Sequence, residues 1–321
     1  MRVLFVTSTR IGDAVLSTGL LNYIEKTMPN AQITVAAGYL PAPLFSKFPS
    51  VERIIPLRKY RFGLHWPKLW FSTIGMAWDI VIDLRGSALG WLLLSKKRKI
   101  ICKPMPNEHR VQTLARMMNI SPPPSPVLLT GHYEKKIAKM RIGEKKIIGL
   151  GVTANWVPKI WPAEKFVLLA KQITGVEGPF HGAQLAIFGG PGEEDIARPV
   201  LTALGKKAIN FVGNSDICAT AALIEECLFF IGNDSGLMHM AAALNVPTIG
   251  LFGPSPPEQY APWGKNCRAI SGDVSYSDLV NNSQFDHRKT ENLMTGLSIK
   301  KVFSAVTSLA SETSTDRLLP K

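Results

Sequence analysis

The run Gly232-Asn233-Asp234-Ser235-Gly236-Leu237-Met238-His239 constrains this chain more than any other stretch. The apolar residues Cys227 to Ile231 precede it and read as a buried strand. Gly, Asn and Asp then turn the chain, and a helix opens at once. A second strand, Thr248 to Phe252, ends in Gly253-Pro254-Ser255-Pro256. A strand that stops at Asp-Ser-Gly and starts a helix there leaves unpaired backbone N–H groups above the sheet. The helix dipole adds partial positive charge at the same spot, so the place suits a phosphate. The N–H groups of Ser235 and Gly236, with Leu237 in the same first turn, are the expected donors. Asp234 cannot bind phosphate itself, but its carboxylate can accept hydrogen bonds from sugar hydroxyls. One turn that holds a phosphate and a sugar reads as a nucleotide-sugar pocket. His239 lies four residues after Ser235, on the same helix face, and is expected to support the turn.

The rest of the chain alternates strand and helix. Strand Arg2–Ser8 leads through Thr9-Arg10-Ile11-Gly12 into a helix from Asp13 to about Thr27, with Asp13 at a capping position. Strands follow at Gln32–Ala37, Arg53–Pro56 and Asp79–Asp83, with helices at Ser87–Leu94 and Glu108–Met118. Ser121-Pro122-Pro123-Pro124-Ser125-Pro126 can be neither helix nor central strand, which makes it a linker. The pattern then restarts with strand Lys146–Gly151, helix Pro162–Ile173, strand Gln184–Phe188 and helix Ile217–Glu226. A tail helix spans Ser298 to Leu309, with Ser311 onward expected to fray. This alternation predicts an α/β chain of two doubly wound parallel-sheet domains, residues 1–143 and 144–321, facing across a cleft. Ligands in such sheets bind at the carboxyl ends of the strands.

The net charge of +13 is unevenly spread. Residues 1–145 hold 22 Lys and Arg against 8 Asp and Glu, while residues 146–321 hold 15 against 16. The excess concentrates in Arg58, Lys59 and Arg61, beside His65, Trp66, Trp70 and Phe71, and in Lys96, Lys97, Arg98 and Lys99. A solvated basic face is the plain interpretation. The functional one is a surface for an anionic partner, an acidic membrane or a phosphorylated acceptor. Nucleic acid is not expected, because no RNP, zinc-finger or helix-turn-helix signature occurs. Four cysteines without Cys-x-x-Cys spacing read as reduced thiols. The N-terminus enters a strand directly, with no signal-peptide core and no long apolar span, so a cytoplasmic location is expected.

Several of these motifs coincide in one known family. Gly12-Asp13 after the first strand, Lys159-Ile160-Trp161-Pro162, Gly189-Gly190-Pro191-Gly192-Glu193-Glu194 and Asn233-Asp234-Ser235-Gly236-Leu237-Met238-His239 resemble the bacterial heptosyltransferases of glycosyltransferase family 9, which have the GT-B fold. The resemblance implies an inverting, metal-independent transfer of heptose from ADP-heptose to the inner core of lipopolysaccharide, on a lipid A–Kdo acceptor. It assigns the catalytic base to Asp13, whose plain alternative is helix capping. Lys159 would be the cation that stabilises the diphosphate, rather than an ordinary loop lysine, and Thr153 could donate a hydroxyl beside it. Glu193 or Glu194 would accept from the ribose. The basic residues Arg58, Lys59, Arg61, Lys97 and Arg98 would meet the anionic glycolipid at the inner leaflet. No metal and no cofactor are expected, and no Asp-x-Asp metal anchor occurs. Ser255-Pro256 stands where the family often has Thr-Asp, and Arg85 where Gln is common.

Other readings compete. A nucleotide-sugar epimerase of the same fold would release free sugar. A transferase could use a different donor. A dinucleotide oxidoreductase would want Gly-x-Gly-x-x-Gly after the first strand, which Thr9-Arg10-Ile11-Gly12-Asp13 lacks. A non-catalytic membrane-surface protein would leave Asp13, Lys159 and the phosphate turn without a role.

Overall fold

A computed structural model describes residues 1–58, 63–213, 216–274, 276–280 and 292–317. The chain divides into two compact units, Met1–Gly131 and His132–Lys321.

The first unit carries β1 (Arg2–Val6), α1 (Ile11–Leu16), α2 (Thr18–Thr27), β2 (Gln32–Gly38), β3 (Val51–Leu57), α3 (His65–Thr73), β4 (Trp78–Asp83), α4 (Leu89–Leu92), β5 (Ser95–Ile100) and α5 (Arg110–Met118). All pairings are parallel, in the order β3-β2-β1-β4-β5. The central strands are buried on both faces, as their unbroken apolar runs require. One face packs Val3, Phe5, Leu20, Ile33 and Leu114 together. The other packs Leu4, Val6, Trp78 and Val81 against Leu69 of α3 and Leu89 of α4.

The single helix expected from Asp13 to Thr27 is two. The Ser17 hydroxyl donates to the Ala14 carbonyl at 2.7 Å and pairs with Thr7 Oγ1 at 2.8 Å, and Thr18 Oγ1 donates to the Val15 carbonyl at 2.7 Å. Such local hydroxyl bonds compete with the helical ladder. The basic run expected to follow a helix ending at Leu94 is itself strand β5, at the sheet edge, where lysines deter pairing with a foreign strand. The aromatic stretch at residues 65–73 forms α3. The Pro-rich run is packed onto the first unit. Val127 N donates to Thr18 Oγ1 at 3.0 Å, and a Cβ on Gly19 would lie 2.4 Å from the Pro124 carbonyl. The division therefore falls at Gly131, ahead of the Gly143 boundary expected from the sequence.

The second unit begins with α6 (His132–Ile142), which packs on α9, and continues through β6 (Ile147–Gly151), α7 (Ala163–Thr174), β7 (Gln184–Phe188), α8 (Glu194–Leu204), β8 (Ala208–Asn210), α9 (Ile217–Glu225), β9 (Phe229–Asn233), α10 (Gly236–Ala243), β10 (Thr248–Phe252), α11 (Pro257–Tyr260), β11 (Cys267–Ser271), α12 (Tyr276–Val280) and α13 (Ile299–Arg317). Its sheet is also all parallel, in the order β11-β10-β9-β6-β7-β8. The tail helix runs to Arg317 rather than fraying from Ser311, because buried Val302, Val306, Leu309 and Thr313 keep one stripe against the core.

An ion pair with a buried carboxylate and a half-exposed guanidinium braces the start of α5. Glu108 accepts from Arg116 Nε at 2.7 Å and Nη2 at 2.8 Å, from the Met105 amide at 2.8 Å and from Thr113 Oγ1 at 2.9 Å. The Arg116 bond above all holds this carboxyl at about 2, against an ordinary 4.5. A depressed carboxyl stabilises the fold above its unfolded pKa, and that contribution is lost as pH falls through the folded value. Glu108→Gln is therefore expected to flatten the loss of thermal stability between about pH 4.5 and 2. An unchanged acid limb in a series of melting curves would rule this out.

Candidate functional site

In each sheet the strand order reverses beside the first strand, and the loops that flank such a switch form a crevice at the strand carboxyl ends. In the second unit this point lies between β6 and β9. The loop after β6 carries Thr153 and Lys159, and the turn after β9 carries Asp234 and Ser235.

Asp234 is buried and gathers three elements. Its Oδ2 accepts from Lys159 Nζ at 2.5 Å and from Ser255 Oγ, beyond β10, at 2.7 Å; its Oδ1 lies 4.0 Å from His239 Nε2 on α10. The carboxylate read as a sugar-hydroxyl acceptor thus holds the lysine read as the diphosphate cation. Lys159 keeps 22% of its side chain exposed. Burial around Asp234 lowers the local dielectric and strengthens this pairing. His239 is buried beside Asp234.

The turn itself has an open face. Ser235 is the N-cap of α10 with an extended backbone, and its side chain makes no capping bond. Its Oγ is buried with no hydrogen-bond partner. Together with the first N–H groups of α10, at Gly236 and Leu237, it leaves donors aimed at one spot at the end of β9.

The loop that carries Lys159 is pinned from below. Asn233, wholly buried, accepts from the Trp161 amide at 2.9 Å. The Trp161 indole donates to the Leu297 carbonyl at 3.0 Å and meets Phe166 edge-on at 5.0 Å. Asn292 donates to the Ile160 carbonyl at 2.7 Å. Asn233, Asn292 and Ser255 were not singled out from the sequence. Asn233 and Ser255 stood inside noted motifs, but their partners are 72 and 21 positions away, which no local pattern reveals.

Glu193 and Glu194 separate clearly. Glu193 Oε2 accepts from Thr153 Oγ1 at 2.5 Å and from the Gly190 amide at 2.6 Å, so it ties the loop after β7 to the loop after β6. The Thr153 hydroxyl is thereby given to Glu193. Glu194 is exposed and accepts from the Gly192 amide at 3.2 Å.

In the first unit the switch lies between β1 and β4. Asp13 is the third residue of α1, and the N-cap is Arg10, with no side-chain capping bond. Asp13 is therefore not the helix cap expected of it, because the helix starts two residues earlier. The Ser8 hydroxyl approaches Asp13 Oδ2 at 3.4 Å, and the half-buried carboxylate lines a depression with Thr7, Ser17, Leu84 and Arg110. Arg110 also escaped the sequence reading; its place follows from the braced start of α5. Asp83, wholly buried, shapes the turn after β4 by accepting from the Arg85 and Ser87 amides and the Ser87 hydroxyl.

The expected acceptor residues are dispersed. Arg58 is exposed over the Tyr39 ring at 4.1 Å. Lys97 is exposed on β5. Arg98 is exposed, yet its guanidinium is engaged within the unit, with Nε donating to the Gly90 carbonyl at 2.9 Å and Nη2 to that of Leu93 at 2.8 Å, so it anchors α4 to β5. Lys59 and Arg61 lie outside the described residues.

Residues 71–288 match the family model of glycosyltransferase family 9 (heptosyltransferase). The chain is 25% identical over 305 residues to lipooligosaccharide heptosyltransferase 2 of Haemophilus influenzae, covering 82% of this chain and 86% of that one. Its fold is that of the Escherichia coli ADP-heptose LPS heptosyltransferase II, at a TM-score of 0.77 and 22% identity over 98% of this chain and 100% of that one. It is also similar to the family 9 glycosyl transferase of Veillonella parvula, at a TM-score of 0.81 and 20% identity over 97% of each chain.

Proposed function

This chain belongs to glycosyltransferase family 9, the heptosyltransferases, and from that premise we propose that it moves a heptose from ADP-heptose onto the inner core of lipopolysaccharide, at a lipid A–Kdo acceptor. It is a glycosyltransferase of GT-B type. The observation that carries the finer reading is the cluster at the β6/β9 switch. Lys159, held by Asp234, stands beside a helix start whose N–H groups and Ser235 hydroxyl are uncommitted. A cation and several donors around one point suit a diphosphate that gains charge as its bond to the sugar breaks.

In this reading the second unit binds the donor and the first binds the acceptor. An acceptor hydroxyl attacks the anomeric carbon from the face opposite the diphosphate. The new C–O bond forms as the bond to ADP breaks, the configuration inverts, and Asp13 takes the hydroxyl proton. Lys159 and the α10 amides neutralise the departing ADP, the part a divalent cation plays in other transferases. Asp234 positions Lys159. Of the two glutamates, Glu193 is the better placed for the ribose, because it lies in the loop beyond the carboxyl end of β7 and is tied to Thr153 of the β6 loop. Depth in the crevice, not proximity in sequence, separates them. The relatives' names place such enzymes in lipopolysaccharide assembly, which supports a cytoplasmic protein working at the inner face of the membrane.

Thermal unfolding with ADP, UDP, GDP, CDP and NAD tests the donor. Ligand at 100 times Kd adds about 2.7 kcal/mol of stability. ADP is expected to raise Tm, with the other nucleotides giving less. A rise with UDP or GDP in place of ADP would change the donor, a rise with NAD alone would end the reading, and release of free sugar without an acceptor would turn it toward an epimerase.

A further inference from the structure

The first unit exposes a group of large apolar side chains that its core does not use. Phe71, Trp91 and Leu94 are each at least 70% exposed, and Leu92 and Ile74 are exposed as well. They come from two segments that lie together. The Trp70 indole donates to the Leu92 carbonyl at 3.5 Å, and Arg98 fixes the carbonyls of Gly90 and Leu93. The Leu94 carbonyl accepts from the Trp78 amide at 3.0 Å, so the group sits at the amino ends of β4 and β5, away from the Asp13 depression. Single exposed apolar residues are ordinary; several from two packed segments form a patch with a partner.

The surround of this patch is basic. Lys68 is exposed on α3, one turn before Phe71. Lys96 and Lys97 are exposed on edge strand β5, two and three residues after Leu94, and Lys96 reaches Asp79 at 2.7 Å while staying 81% exposed. A self-complementary contact between two copies would bring two such basic rims together, at a cost in repulsion. An aromatic and aliphatic tip ringed by lysines matches the boundary between anionic headgroups and acyl chains. Among the described residues no helix is long and apolar enough to cross a membrane.

We propose that Phe71, Trp91, Leu92 and Leu94 form a wedge that inserts into the surface of an anionic bilayer, with Lys68, Lys96 and Lys97 on the headgroups. This rests on the reading of the acceptor as lipid-borne, and it adds the residues and the mode of attachment. Because the wedge is remote from the depression that holds Asp13, docking and chemistry are separable.

The test uses the whole chain with phosphatidylcholine vesicles, alone or mixed with phosphatidylglycerol, read by co-sedimentation and tryptophan emission. The wild-type protein is expected to bind the anionic vesicles with a blue-shifted emission. A fraction should stay bound in about 1 M salt, where charges are screened beyond about 3 Å. The double variant Trp91→Glu/Leu94→Glu, which alters only exposed side chains, should bind at least about tenfold more weakly and lose the salt-resistant fraction. Its transfer to a de-acylated, water-soluble acceptor should match that of the wild type. Wild-type-like binding by the double variant overturns the proposal. So does a wild-type dimer that ignores vesicles and falls apart in the double variant. If the wild-type protein transfers nothing to any acceptor, the functional reading fails, while the vesicle result still stands or falls by itself.

Discussion

Asp13→Asn is expected to slow transfer by about 10²–10⁴-fold with little change in ADP binding or in melting temperature. The structure sharpens this expectation. An N-capping aspartate would cost about 1 kcal/mol of stability when replaced, and that loss could imitate a functional defect. Asp13 makes no capping bond; the helix starts before it, and its neighbour is the Ser8 hydroxyl at 3.4 Å. Asn keeps the size of the side chain and can still accept from Ser8. What it loses is the ability to take a proton. Steady-state rates with saturating acceptor, beside ADP-induced thermal shifts, separate the two effects. A variant that transfers within a few-fold of the wild type removes Asp13 from the mechanism.

Lys159→Ala should have the other large effect, through a different route. Losing one preorganised donor to a developing anion costs about 10²–10³ in kcat. Here the same change also leaves Asp234 buried with Ser255 and without its cation. An uncompensated buried acceptor costs about 1–3 kcal/mol, so stability falls along with turnover. The double variant Lys159→Ala/Asp234→Asn distinguishes the two losses, since residues in contact do not act additively. It is expected to recover most of the stability and none of the turnover. Recovery of turnover would mean that Lys159 serves only to neutralise Asp234 and never meets the diphosphate.

Much of this arrangement was legible along the chain, and for a common reason. The strand-turn-helix at residues 229–243 is written in consecutive residues: apolar strand, Gly-Asn-Asp turn, helix. The strands at Gln184–Phe188 and Thr248–Phe252 fall where they were expected, because central parallel strands are continuous apolar runs. Edge and short strands lack that signal. β5 is mostly basic, and β8 and β11 are half exposed, so their place depends on a neighbour to pair with.

The clearest limit concerns charge. Arg98 and Lys97 are adjacent and exposed in one basic run, yet the Arg98 guanidinium donates to the carbonyls of Gly90 and Leu93, which the sequence alone does not reveal. Lys159 and Asp234 stand 75 positions apart and share a hydrogen bond. Composition and motif could name them as separate agents but not as a pair. The parallel α/β class and the strand-turn-helix at residues 229–243 follow from the chain alone, because turns, helix starts and apolar periodicity are local properties of the backbone; the candidates for base and cation came with the family resemblance. Folding in three dimensions settled that Asp234 holds Lys159, that Glu193 closes on Thr153 and that Asp13 is free of capping. These depend on which side chains meet when strands distant in the chain pair into one sheet, and that choice is made by packing and by the satisfaction of buried polar groups.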